Sequence, residues 1–167
     1  KIFQGNNERK NMRVLVGITG GIASYKSCEL IRLLKKANHE VTVCLTDSAR
    51  DFITPLTVET LSKNKILGNS HLDSNSEINH VKASRTVDLI VVAPATANFI
   101  AKLTHGICDD LLTNICAARK AKLLIAPAMN MEMWKNPSNL RNIDLLINDG
   151  ISIIGPEKGI QACGDDG

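Results

Sequence analysis

The residues able to do chemistry gather where apolar runs end. Residues 87–98 read VDLIVVAPATAN, and about thirty residues further on LLIAPAMN repeats the pattern from Leu123 to Asn130. Each run closes in Ala-Pro-Ala and is followed by an asparagine, Asn98 in the first copy and Asn130 in the second. Proline has no N–H to donate, so Pro94 is expected to end its ladder and leave Ala95, Thr96, Ala97 and Asn98 to face a ligand. Thr19-Gly20-Gly21 is another candidate, because glycines before a helix let backbone N–H groups approach an anion that the helix dipole also favours. Its G-x-x-G-G spacing from Gly17 is neither the dinucleotide G-x-G-x-x-G nor a P-loop, and an ordinary tight turn explains it as well. Thr46 and Ser48 flank Asp47 where a dinucleotide enzyme places its ribose-binding acid. Hydroxyls suit a phosphate and a carboxylate repels it, so the trio points to a mononucleotide if it holds a nucleotide; the alternative is an N-cap. His80 by itself reads as a loop or helix-start histidine. Cys163 stands apart in a glycine-rich tail, whereas Cys28, Cys44, Cys108 and Cys116 lie in or beside predicted elements and should behave as small apolar residues.

These groups need a sheet edge to stand on. The pattern predicts a strand over 13–19, a helix over 22–37 with Ser27, Leu30, Ile31 and Leu34 on one face, and a strand over 40–45. A helix follows over 55–63, opened by Pro55, and then a polar loop over 68–79 that leads to His80. Leu89 to Ala93 reads as a central strand buried on both faces. Helices are expected over 98–105 and 109–118, the latter with Asp109 and Asp110 in its first turn. A strand over 123–126, a helix over 137–149 and a strand over 151–154 complete the chain before its tail. Strands alternating with helices imply an α/β domain built on a doubly wound, mostly parallel sheet, whose ligands bind at the carboxyl ends of the strands.

Composition narrows the partners. A chain of 167 residues with 44% apolar content suits one domain, with residues 1–11 expected as a disordered extension or expression remnant. No apolar run approaches a membrane span and no signal-peptide pattern opens the chain, so a soluble, cytoplasmic protein without a membrane partner is expected. The net charge of +3 is scattered, which argues against nucleic acid. Five widely spaced cysteines without C-x-x-C indicate neither a disulfide framework nor a metal site. With 3% aromatic residues, a planar cofactor would lie against aliphatic side chains and backbone.

Taken together, GITGGIASYK, LTDSARDFITPL, INHVK, APATANFIAKLTHGICDDLL, PAMNMEMW and GPEKGIQACGD resemble the flavin-dependent cysteine decarboxylases in order and spacing. Within that family they lie nearest the branch acting on 4'-phospho-N-pantothenoylcysteine in coenzyme A biosynthesis, a form bacteria often fuse to a synthetase domain. The resemblance covers residues 12–167, the tail being shorter than in relatives, and implies a Rossmann-like or flavodoxin-like fold and FMN as cofactor. Thr19, Gly20, Gly21, Thr46, Ser48, Pro94, Thr96, Ala97, Asn98, Phe99 and Ala126 match the family's flavin contacts. His80 matches its catalytic histidine and Cys163 the acid on its substrate-covering loop. Asn130, Met133, Ile160, Gln161 and Ala162 match its substrate-binding positions. The resemblance also implies a homo-oligomer, a trimer or an assembly of trimers, with the site between subunits. A peptidyl-cysteine decarboxylase of lantibiotic synthesis and a non-catalytic regulatory flavoprotein are the alternatives, and the ACGD tail argues against the first. A flavin prenyltransferase shares the fold but lacks PAMN.

Overall fold

The computed structural model describes residues 11–68 and 83–155. Five parallel strands form one sheet in the order β2-β1-β3-β4-β5: β1 Arg13–Ile18, β2 Glu40–Leu45, β3 Leu89–Ala95, β4 Lys122–Pro127 and β5 Ser152–Ile153. Helices with both ends described are α1 Lys26–Lys36, α2 Pro55–Ser62, α3 Ala97–Thr104, α4 Leu111–Ala117, α5 Met131–Lys135 and α6 Pro137–Asn148, and residues 83–86 are helical as well. Short 3-10 turns at Ile22–Tyr25 and Asp47–Asp51 lead out of the β1 and β2 ends.

Because successive strand residues point to opposite faces, the sheet builds two cores. Val14, Val16, Ile18, Val41, Val43 and Val91 pack with Ile31 of α1 and Val58 of α2. Leu15, Ile90, Val92 and Ile125 pack on the other face with Phe99 and Ile100 of α3, Leu112 and Ile115 of α4, and Ile143 and Leu146 of α6. Burial on both faces is what a run of consecutive branched apolar residues without polar alternation requires, and it makes the sheet doubly wound.

The chain leaves β1 outward to β2 and then crosses back to β3, so the winding reverses between β1 and β3. Such a switch point opens a crevice at the carboxyl ends of the strands. Most predicted elements occur within a residue or two of their expected ends. The 22–37 helix instead begins as the 3-10 turn at Ile22–Tyr25, where Ser24 Oγ donates to the Gly21 carbonyl at 2.6 Å. The last strand shrinks to two residues.

Pro94 departs from expectation more instructively. It interrupts the ladder without ending it: pairing to β4 holds through Val92, shifts register, and resumes where Ala95 faces Pro127. The Ala93–Pro94 peptide is cis.

Candidate functional site

At the switch point the β1, β2 and β3 ends enclose a cavity of about 230 Å³. Thr19, Thr46, Ser48, Thr96 and Asn98 supply hydroxyls and an amide to its wall. Lys102, Asp109 and Asp110 contribute charged groups to the same wall.

The wall is held from beneath by buried hydroxyls. The register shift in β3 takes Ala93 and Pro94 out of the regular pairing, so their carbonyls need other donors. Thr19 Oγ1 donates to Pro94 O at 2.8 Å and accepts from Thr96 N at 3.1 Å, while Ser27 Oγ donates to Ala93 O at 2.6 Å. Both residues are 2% exposed. Thr19 therefore lines the cavity while its hydroxyl ties β1 to the β3 loop. Ser27 was expected only as an apolar-face residue of its helix; a polar residue on that stripe was the available signal.

Gly20 has a steric reason. A Cβ built there would lie 2.5 Å from Ser48 Cβ, so the β1 and β2 loops touch only because the side chain is missing. Thr46 occupies the N-cap position of the Asp47–Asp51 turn without making the side-chain cap bond, and its hydroxyl lies 3.2 Å from Ser48 Oγ. The two hydroxyls thus face the cavity as a pair. The Asp47 carboxylate lies beside them, 3.8 Å from Arg50.

Thr96 caps α3 by accepting from Phe99 N at 3.3 Å, which sets Asn98 in the first helical turn on the cavity wall. Phe99 is 2% exposed, its ring serving the core, and Pro94 is buried beneath the lip. Lys102, one turn beyond Asn98, was legible from that spacing as a residue of the same face. Both Asp109 oxygens accept from its Nζ at 2.8 Å. This hydrogen bond holds the Asp109 carboxyl below its ordinary pKa and lifts that of Lys102. Asp109 lies outside the helix once expected to start there, and Asp110 is its N-cap, closing a capping box with Thr113. Gly106, at φ 67°, turns the chain back so that Asp109 reaches Lys102.

The β4 loop lies one strand along the same edge. Ala128 N donates to Ala95 O at 3.1 Å, coupling the two Ala-Pro-Ala turns. Asn130 is the N-cap of α5: Oδ1 accepts from Met133 N at 2.8 Å, and Nδ2 has no partner among the described residues. The cap bond thereby fixes which end of this exposed amide is available as a donor. Met133 is 49% exposed, and Ala126 is half-buried in β4. His80, Ile160, Gln161, Ala162 and Cys163 lie outside the described residues.

Among the described residues no cluster of three His, Cys, Asp or Glu side chains could hold a metal ion. Cys44 and Cys116 are buried, and desolvation raises both thiols, that of Cys116 to about 12. Cys108 contradicts the expectation of an apolar role: it is exposed in the loop after Gly106.

The sequence profile described as Flavoprotein matches residues 2–167. The chain belongs to that family. This flavoprotein is 48% identical over 92% of its length to a "coenzyme A biosynthesis bifunctional protein CoaBC" of Haemophilus influenzae, covering 39% of that protein. Its Bacillus subtilis counterpart is 45% identical over 92% of the chain, with 38% of the relative covered. The flavoprotein chain thus spans about two fifths of the length of these curated relatives. Among solved structures, a PPC decarboxylase mutant complexed with pantothenoylaminoethenethiol superimposes with TM-score 0.81 and 31% identity, over 95% of this chain and 89% of that one. The FMN-dependent cysteine decarboxylase SpaF gives TM-score 0.81 and 32% identity, over 89% and 86% of the two chains.

Proposed function

We propose that this flavoprotein binds FMN and decarboxylates 4'-phospho-N-pantothenoylcysteine to 4'-phosphopantetheine and CO₂, a step of coenzyme A biosynthesis. What carries the reading is one pairing: 48% identity to a bifunctional coenzyme A protein, and a TM-score of 0.81 to PPC decarboxylase over 95% of the chain. Of the two activities a bifunctional name implies, the fold selects the decarboxylase. Residues 12–167 act as that unit.

The donor set suits a flavin mononucleotide. In this reading Thr46 and Ser48 offer hydroxyls to its phosphate, with the backbone of Gly20 and Gly21 close by. Thr96, Ala97, Asn98 and Ala126 offer small side chains to a ring in a chain poor in aromatics, with the buried Pro94 and Phe99 shaping the lip beneath them. Bound FMN would supply a reversible two-electron acceptor: with the thiol-bearing carbon oxidised to a thioaldehyde, the adjacent carbon could lose its carboxylate as CO₂, and the resulting enethiolate could regain the electron pair. The Asn130 Nδ2 donors hold the departing carboxylate. His80 serves the oxidation, Cys163 Sγ delivers a proton to the enethiolate, and Met133, Ile160, Gln161 and Ala162 shape the substrate site. Exposed Ile22, Tyr25, Phe52 and Leu56, in the segments following β1 and β2, support a homo-oligomer with the site between copies. The protein works in the cytoplasm.

A peptidyl-cysteine decarboxylase is the second reading, since EpiD in complex with a substrate peptide gives TM-score 0.82 at 29% identity. Anaerobic mixing separates the two. The expected result is CO₂ and phosphopantetheine from the pantothenoyl substrate, with Cys163→Ser stopping at the enethiol and leaving the flavin reduced. Turnover of cysteine-ending peptides alone would install the second reading, and release of FAD or no flavin on heating would remove both.

A further inference from the structure

Asn139 carries the one buried side-chain polar atom that lacks a partner among the described residues, its Oδ1. The residue is 5% exposed, in the first turn of α6, on the same stripe as Ile143 and Leu146 that the helix turns to the core. Asparagine is a poor choice there by every local criterion. It is a weak helix former, and a buried acceptor without a donor opposes folding, whereas an apolar side chain would extend the stripe without that penalty. A residue that breaks a local rule in this way points to a task elsewhere.

The other end of the amide shows where. Asn139 Nδ2 donates to Met129 Sδ at 3.1 Å. Turning the amide over would set its oxygen against the sulfur lone pairs and leave the NH₂ group without an acceptor, so the partner fixes the orientation. Met129 is the middle residue of the turn that presents Asn130. On one side of it Ala128 N is tied to Ala95 O at 3.1 Å, and on the other Asn130 Oδ1 is tied to Met133 N at 2.8 Å. Between those two, the thioether contact links Met129 to α6, beside its packing against the core.

We propose that Asn139 is a positioning residue for the substrate carboxylate: from α6 it holds the Met129 thioether, and so sets the turn on which the Asn130 amide is offered. The role attached to Asn130 rests on the function proposed above; the placement of the turn does not. Trp134, the chain's single tryptophan, reports that placement, since its backbone N–H donates to the Asn130 carbonyl at 3.0 Å and its ring packs at the edge of the core.

The test uses the FMN-loaded protein with Asn139→Leu, Met129→Leu and the double variant. Asn139→Leu should melt no lower than wild type and keep its FMN affinity within about twofold, since an orphan acceptor is replaced by apolar volume. Its kcat/KM for 4'-phospho-N-pantothenoylcysteine should fall about three- to tenfold, mostly through KM, the size of one modest hydrogen bond. Acrylamide quenching of Trp134 should rise by roughly twofold as the turn loosens. Met129→Leu should reproduce both changes, and the double variant should be no worse than either single one. Unchanged quenching with kcat/KM within twofold of wild type, or losses that multiply in the double variant, would overturn the proposal. Should Asn139→Leu fail to fold, Met129→Leu with normal quenching and kinetics overturns it alone. Absence of turnover in wild type would remove the proposed substrate, while Trp134 quenching still decides whether Asn139 sets the turn.

Discussion

The loops after β3 and β4 share Ala-Pro-Ala and a following asparagine, yet they are built differently. After β3, two carbonyls outside the regular pairing are met by hydroxyls from the residue following β1 and from α1, and Thr96 takes the capping position, so Asn98 is carried into the helix and onto the cavity wall. After β4 the asparagine is itself the cap, is exposed, and is steadied by one backbone bond to the neighbouring loop and by the Asn139–Met129 contact. A wall braced from inside the core suits a resident group that stays bound. A loop whose amide is fixed at one end and open at the other suits a molecule that comes and goes.

Replacing Asn130 by Asp probes the open loop and should give the largest effect. Asp caps a helix as well as Asn does, so α5 should survive, while a charge-assisted donor of about 1.5–3 kcal/mol becomes a repelling carboxylate. Turnover should drop more than about a hundredfold with flavin still bound, measured as CO₂ release beside the visible spectrum. Near-normal substrate affinity by calorimetry would erase the contrast between the loops.

Thr19→Val attacks the brace. It leaves Pro94 O and Thr96 N without their hydroxyl partner in the core, which should lower stability by roughly 2–4 kcal/mol in urea unfolding and release the cofactor. Ser27→Ala removes a single donor, from Ala93 O, and should cost about 1–3 kcal/mol. Its flavin affinity should fall less than in the valine variant; an equal fall in both would show that the two hydroxyls do not act on separate carbonyls.

The smallest effect belongs to the cavity flank. Asp109 is held below the ordinary carboxylate range by Lys102, so its contribution to stability is full above that range and is lost as pH falls through the lowered value. Lys102 is raised by the same bond, so its contribution is full below the ordinary lysine value and is lost as pH rises through the raised one. Lys102→Met should therefore lower the melting temperature slightly across neutral pH, and the gap to wild type should close in strong acid. A constant gap down to pH 2 would mean that the pair contributes nothing through charge.

Apolar runs of strand length, the glycine turn and helix-start prolines made the α/β order legible, because each is a local consequence of backbone sterics and of burial on two faces. The same local logic located the β-strand ends on which Thr19, Thr46, Ser48, Asn98 and Asn130 sit. It could not say what their side chains do. Thr19 and Ser27 took on bracing roles because β3 shifts register in space, and Gly20 is required by a contact with Ser48 in another loop. Asp109 met Lys102 because Gly106 turns the chain back, and Asn139 of α6 found Met129 in the turn before α5. Hydrogen-bond partners far apart in sequence exist only once the sheet has been assembled. The elements were therefore set by sequence, whereas which asparagine caps, which lines the wall and which hydroxyl is already engaged were settled by tertiary structure.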